Sequence, residues 1–450
     1  MTGQTGFPIH DRTPVRFADA LPGHADVVVI GGGVIGAAVA LYAAGRGLSV
    51  VLCEKGRIAG EQSSRNWGWV RQQGRDAHEL PIVTEAMALW RDLAARAPGI
   101  GFRQTGVVYL AADEAELARY EAWLEVARAG GIDSRLLTGA GAAALISGAA
   151  RGWAGALHTP SDGRAEPWTA VPAIAALAQA EGVRIAEGCA VRCLDIAAGR
   201  VAGVVTEKGR IGCDQVVLAG GAWSALLLRH HGVFLPQLSV RESVAATAPL
   251  PGVFAGAASE HALSFRRRED GGYTLAPRIS PRLWVGPDAL RSLRWYLPQL
   301  RRDPFGTSVR PFAPRGFPDH WATPRGLDPD RPGPFEAMRI LDPAPDRRAL
   351  ERMRAAFQAL FPALGEVRLT ATWAGMIDTL PDIVPAIGPV ARLPGLILAT
   401  GMSGHGFGIG PGVGRVVADL LAGRAPGHDL SRFDPARFDG PIAVDFGAAL

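Results

Sequence analysis

The stretch from Asp26 to Glu54 constrains this chain more than any other. An apolar run, Val27-Val28-Val29-Ile30, leads into Gly31-Gly32-Gly33-Val34-Ile35-Gly36. A helical pattern then extends to about Gly47, and a second apolar run, Leu48 to Cys53, ends at Glu54. The order spells strand, glycine-rich turn, helix, strand and terminal acid. Gly31 permits the tight turn out of the strand, Gly33 lets a pyrophosphate approach bare backbone, and Gly36 lets the helix pack close to the strand. The helix start at Val34 and Ile35 offers free N–H groups and the positive end of its dipole to phosphate. Glu54 is placed to accept hydrogen bonds from ribose hydroxyls and would repel a 2′-phosphate. The unit predicts a dinucleotide, FAD or NAD rather than NADP.

A chain of 450 residues is long enough for two domains and a large core. Its net charge of +4 includes no basic run of the kind that binds nucleic acid, since Arg266-Arg267-Arg268 is followed at once by Glu269-Asp270. Cys53, Cys189, Cys193 and Cys213 show no CxxC spacing and sit in strand-like surroundings. They read as buried thiols of a reducing compartment, and no metal ligands are picked out. No apolar stretch reaches the roughly 20 residues that span a bilayer. Residues 1–24 carry Asp11, Arg12, Pro14 and Arg16 without an apolar core and read as a loose arm rather than a signal peptide. A soluble, cytoplasmic protein is expected.

Two further blocks look like nucleotide-binding pieces. In the first, a helical pattern at Pro172–Glu181 precedes short strands at 183–186, 190–196 and 201–206, a turn near Lys208-Gly209, and the strand Gln215 to Leu218 ending in Ala219-Gly220. In the second, Leu396 to Thr400 leads into Ser403-Gly404-His405-Gly406-Phe407-Gly408 and a helix to Leu421. Between them, strand patterns at 237–247, 261–266 and 272–277 and a helix near 286–300 have a different character. The predicted architecture is α/β: a discontinuous Rossmann-type domain (25–101, 150–233 and 373–450) with a second α+β domain rich in antiparallel sheet (102–149 and 234–372).

The second glycine-rich helix start separates FAD from NAD. No acid follows it by about 20 residues, so it is no second dinucleotide fingerprint, but its N-terminus is suited to negative charge on a reduced flavin ring. The loop Ser63-Ser64-Arg65-Asn66-Trp67-Gly68-Trp69-Val70-Arg71 follows Glu54 closely. Its polar residues suit pyrophosphate and ribitol, and its tryptophans suit a flavin wall. Tyr273 and Trp373 are candidate pocket residues, and His405 is a candidate proton relay or flavin partner.

These motifs, with VVLAGGAWS at 216–224, WAGMIDTLPD at 373–382 and SGHGFGIGP at 403–411, resemble the D-amino-acid oxidase superfamily of FAD amine oxidoreductases, which includes glycine oxidase, sarcosine oxidase and D-amino-acid dehydrogenases. The resemblance implies FAD beneath a substrate sheet and oxidation of a C–N bond of an amino acid or secondary amine by hydride transfer to flavin N5. It implies that Gly31, Gly33, Gly36 and Glu54 bind the ADP half with Lys55 nearby. Val191 would contact adenine, Ala219, Gly220 and Trp223 would line the nucleotide, and Ser403 to Gly408 would lie beneath the flavin. Sarcosine oxidases attach flavin through a cysteine where this chain has Gly375, so noncovalent FAD is expected. They also grip the carboxylate with a lysine where this chain has Gly408. The only lysines here, Lys55 and Lys208, are ill placed to replace it or to activate oxygen. Arg71 becomes the first candidate for a substrate carboxylate, with Arg75, Arg278 and Arg315 in reserve, and an electron-accepting partner subunit becomes credible. A flavin hydroxy-acid dehydrogenase and an FAD-holding subunit of a larger dehydrogenase are the alternatives. The oligomeric state is left open.

Overall fold

The structure is a computed structural model and describes residues 6–278, 281–304, 306–440, 446 and 450. The apolar runs that the sequence presents separately lie side by side in one six-stranded sheet. Its order is Ala386–Pro389, Leu396–Thr400, Gln215–Leu218, Val27–Ile30, Val50–Cys53, Arg184–Ala186. Pairing is parallel except at the Ala386–Pro389 edge. Val27, Val28 and Val29 are fully buried, as strands covered on both faces must be. The register places Ile30 beside Cys53 and Leu218, and Leu218 beside Leu398. Four strands therefore end along one edge, where Gly31, Glu54, Ala219 and Gly401 begin. Ligands of open α/β sheets bind at such an edge.

The helix Val34–Ala44 packs against Gly406–Leu421 and Pro167–Ala180. It is apolar all round because it is covered all round. At Gly36 a Cβ would stand 1.9 Å from the carbonyl oxygen of Gly31, itself at φ +107°. The turn and the helix are thus locked by the absence of two side chains.

A second sheet of ten strands carries most of the rest, and two three-stranded sheets, one formed by Val191–Ala197, Arg200–Thr206 and Gly209–Gly212, hold the remaining strands. The strands expected at 237–247, 261–266 and 272–277 appear at Leu238–Thr247, Leu263–Arg267 and Tyr273–Pro277, and the helix near 286–300 at Pro287–Arg302. Leu238–Thr247 pairs antiparallel with Leu369–Thr379 over its whole length. Gly155–Thr159 pairs with Val107–Ala111 in this same sheet. Residues 155–159 and 373–379 therefore pair with the second sheet, although the sequence boundaries at 150 and 373 group them with the nucleotide-binding pieces.

Two local expectations differ from the structure. The helix expected from Pro172 starts at Pro167 and contains Pro172. Pro167 supplies the helix start, and Pro172, still near the first turns, gives up a single backbone bond. The arm expected to be loose is anchored: Phe7, Ile9 and Phe17 are buried, and the Arg16 and Phe17 N–H groups donate to the Glu187 carboxylate. Three isolated apolar side chains hold it, a pattern with no periodicity to read. The four cysteines are buried and unpaired. Among the described residues no helix is long and apolar enough to cross a membrane.

Gly36→Ala is expected to cost about 2–3 kcal/mol by overpacking against backbone. A thermal melt matching the parent protein would contradict the contact.

Candidate active site

A single long cavity runs along the strand-end edge, from Glu54 and Val191 at one extreme to Arg71, Arg75 and His405 at the other. At the first extreme the Glu54 carboxylate accepts the N–H groups of Gly32 (2.7 Å) and Gly56 (2.6 Å). Burial pushes its carboxyl above the ordinary value, with Lys55 and the two N–H groups opposing. Lys55 Nζ donates to Glu61 at 2.6 Å and stands 4.3 Å from the centre of the Trp223 ring, whose Nε1 donates to the same Glu61 at 3.0 Å. Glu61 thus organises Lys55 and Trp223, a role that no local pattern in the sequence announces.

In the middle, the Val34 N–H at the helix start donates to Ser63 Oγ (2.8 Å). Gly31, Gly33, Val34, Ile35, Ala219 and Gly220 all line the cavity, whereas Gly36 lies behind it, against the strand. The Ser63–Arg71 loop divides. Ser63, Asn66, Trp67 and Trp69 line the cavity, the two indoles meeting edge to face at 5.6 Å. Ser64 turns away, its hydroxyl donating to the Ala59 carbonyl, and Gly68 is not on the wall. Arg65 reaches the wall, but its guanidinium is tied to Asp342 (2.8 Å) and to the carbonyls of Gly60 and Ala374. That makes it a brace between the loop and the second sheet. Gly375 lines the cavity 3.2 Å from the Arg65 Cβ, as measured from where its own Cβ would stand.

At the far extreme, Ser403 to Gly408 line the cavity together with Trp67 and Trp69 of the loop. His405 Nδ1 lies 3.2 Å from the buried carboxylate of Glu79. Burial raises the Glu79 carboxyl, but His405, Arg75 and Arg71 outweigh this and hold it below the ordinary range. Burial, followed by the Arg75 cation, pulls His405 below its ordinary value, with Glu79 acting in the opposite sense. Arg71 lines the cavity, bonded to the Gln73 carbonyl and lying over the Tyr109 ring at 5.5 Å. Arg75 is buried and its Nη1 has no hydrogen-bond partner. Burial and then the neighbouring Arg71 disfavour its charge. A buried guanidinium with a spare N–H pair is a site for an anion.

Tyr273 and Trp373 lie outside the cavity. The Tyr273 hydroxyl accepts the Val253 N–H, and its ring packs on Phe265 and Phe357. Trp373 shares a strand face with Gly375 and Ile377 but stands beyond the cavity end, where Phe7 of the N-terminal arm and Trp168 cover it. Its Nε1 donates to the Arg65 carbonyl. Arg278 pairs with Glu116 and Arg315 is exposed, so of the reserve arginines Arg75 alone reaches the cavity.

A glycine cradle at a helix start, an acid at the neighbouring strand tip and an unbroken cavity to a second helix start fit an extended dinucleotide carrying a ring system. Residues 26–420 match the family model described as FAD dependent oxidoreductase, and this chain belongs to that family. It is an FAD-dependent oxidoreductase. It is 28% identical to glycine oxidase of Pseudomonas aeruginosa, over 91% of this chain and 98% of that protein. It is 26% identical to 4-methylaminobutanoate oxidase (formaldehyde-forming) of Paenarthrobacter nicotinovorans, over 94% of this chain but only 46% of that longer protein. Its fold superposes on L-amino acid deaminase of Proteus myxofaciens with a TM-score of 0.89 at 30% identity, covering 97% of this chain and 98% of that one.

Glu54→Gln is expected to weaken FAD retention about tenfold, the scale of one charge-assisted hydrogen bond. The check is flavin absorbance per protein after dialysis, and full occupancy would remove Glu54 from ribose binding.

Proposed function

We propose that this protein oxidises the C–N bond of an α-amino acid, with L-amino acids as the first class to test. The observation that carries the reading is the buried Arg75, its Nη1 unpartnered, beside Arg71 at the end of the cavity away from Glu54. The two guanidinium groups suit a substrate carboxylate. The likeness to the Proteus deaminase, whose structure is described as a complex with the amino-carboxylate anthranilate, supports this class. Bound in the cavity, the flavin supplies an acceptor at N5 for the hydride of the carbon next to the substrate nitrogen.

The chain's own residues do the rest. Arg71 and Arg75 fix the carboxylate and so the direction of the C–H bond. Trp67 and Trp69 exclude water along one side. His405, kept neutral by burial and aimed by Glu79, takes the ammonium proton, so that the nitrogen lone pair is free when the C–H bond breaks. The product is an imino acid, which water converts to a 2-oxo acid and ammonium. Gly375 leaves no thiol on that stretch of wall, which supports noncovalent FAD. Lys55 is held by Glu61, and Lys208 by the Glu187 carbonyl. With neither lysine free to assist oxygen, an acceptor other than oxygen, such as a partner subunit, is the second part of the proposal.

Arg71→Ala is expected to raise KM for α-amino acids about tenfold to a hundredfold and to leave the melting temperature near that of the parent. A KM that stays put would remove Arg71 as the anchor. Activity on amines lacking a carboxylate that equals activity on amino acids would overturn the substrate class. Acid precipitation should leave all the yellow colour in the supernatant; colour in the pellet would contradict noncovalent FAD. The kcat/KM profile should rise with pH as His405 loses its proton. Glu79→Gln removes the charge that favours imidazolium, so His405 falls further and the acid limb moves to lower pH. An acid limb that does not move would leave Glu79 with a merely structural part.

A further inference from the structure

We propose that Arg266 is the positioning residue of the indole wall: its guanidinium holds Trp67 and Trp69 in the cavity and thereby governs how fast the flavin is reduced. The effect on rate rests on the amino-acid oxidation proposed above, whereas the positioning requires only FAD in the cavity.

Arg266 lies on Leu263–Arg267, a strand of the second sheet. Successive side chains of a strand point to opposite faces. Phe265 packs on Tyr273, Phe357 and Phe361, so Arg266 turns the other way, towards the loop that carries Trp67. It is 1% exposed. Its Nε donates to the Trp67 carbonyl (2.6 Å) and its Nη1 to the Glu166 carboxylate (2.7 Å). Its Nη2 donates to the same carboxylate (3.3 Å) and to the Thr274 hydroxyl (3.1 Å). Gly68 completes the seat. Its φ is +78°, and a Cβ there would stand 2.7 Å from Arg266 Nε and 2.6 Å from the Ala165 carbonyl oxygen. The loop can close on the guanidinium because residue 68 has no side chain.

Three parts of the molecule meet at this one group. Arg266 belongs to the second sheet. Glu166 stands at the start of the helix Pro167–Ala180, which packs against Val34–Ala44, the helix that opens the glycine cradle. No N–H of its own helix takes the Glu166 carboxylate, which accepts from Arg266 and from the Glu269 N–H (3.0 Å) instead. The third part is the loop itself, whose indoles line the cavity 5.6 Å apart. Burying a charge is costly, and an apolar side chain would fill the same space. What the guanidinium adds is direction, since its planar fork holds acceptors on separate elements at fixed angles. A wall fixed in this way keeps its place when water is expelled from the reacting end of the cavity.

The test compares the FAD-loaded parent with Arg266→Lys, which keeps the charge beside Glu166 and gives up the fork. Flavin fluorescence and visible circular dichroism are recorded first, without substrate. Flavin reduction is then followed anaerobically with an amino acid that bleaches the parent. Fluorescence should rise and the dichroism should change as the indoles lose their fixed places. The limiting rate of reduction should fall at least about tenfold. The amino-acid concentration that gives half this rate should stay within about twofold, because Arg71 and Arg75 are untouched. Thr274→Val removes one acceptor, keeps the shape and should move the same signals in the same direction by less; it carries the test if Arg266→Lys does not fold. In a Trp67→Ala background the effect of Arg266→Lys should shrink, because it acts through that indole. Flavin signals that match the parent in the folded variants, or an undiminished effect in the Trp67→Ala background, would overturn the proposal. Shifted flavin signals in a protein whose flavin no amino acid reduces would uphold the positioning and overturn the proposed reaction.

Discussion

The site depends on one close approach: the Gly36 backbone seated against the Gly31 carbonyl, where a Cβ would stand at 1.9 Å. That contact sets where the helix Val34–Ala44 begins relative to the strand before it. The helix start in turn sets where the N–H groups of a phosphate site can point. Because Ile30, Cys53, Leu218 and Leu398 are in register, the turns that follow them open on one edge, and the cavity follows that edge. The second sheet borders it through Leu238–Thr247 and Leu369–Thr379, with Arg65 bridging the Ser63–Arg71 loop to the second of these strands.

At the far end of the cavity, charge dominates. Arg71, Arg75, the carboxylates of Glu79 and Asp162 and the His405 imidazole act on one another there. Burial and Arg71 disfavour the charge of Arg75, and Glu79 and Asp162 oppose them. Two carboxylates thus stand against two guanidinium groups, and the spare Nη1 of Arg75 is the feature on which the proposed carboxylate site rests. Burial and Arg75 hold His405 below its ordinary value, which favours its neutral form.

The nucleotide half was legible in the sequence because its parts are local. A glycine turn, the helix after it and the acid at the next strand tip lie within 30 residues and obey fixed spacings. The far end was legible only in part. Arg71 and His405 were readable through resemblance, but Glu79, which aims His405, lies 326 residues from it in the chain. No periodicity links them. Tyr273 and Trp373 have the chemistry of pocket residues, yet long-range cover decides their places: Phe357 packs on the first, and Phe7 of the arm on the second. Domain boundaries at 150 and 373 followed local α/β character, while strand pairing, a non-local property, puts Gly155–Thr159 and Leu369–Thr379 in the other sheet.

The central claim is that an α-amino acid held by Arg71 and Arg75 delivers its electrons to FAD in this cavity. The most direct measurement is the visible spectrum of the purified protein under anaerobic conditions as L-amino acids are added one at a time. The account predicts a flavin band that bleaches with at least one of them and yields the 2-oxo acid, and that returns slowly when air is admitted. A band that no amino acid bleaches, or the absence of any flavin band after FAD is supplied, would contradict it.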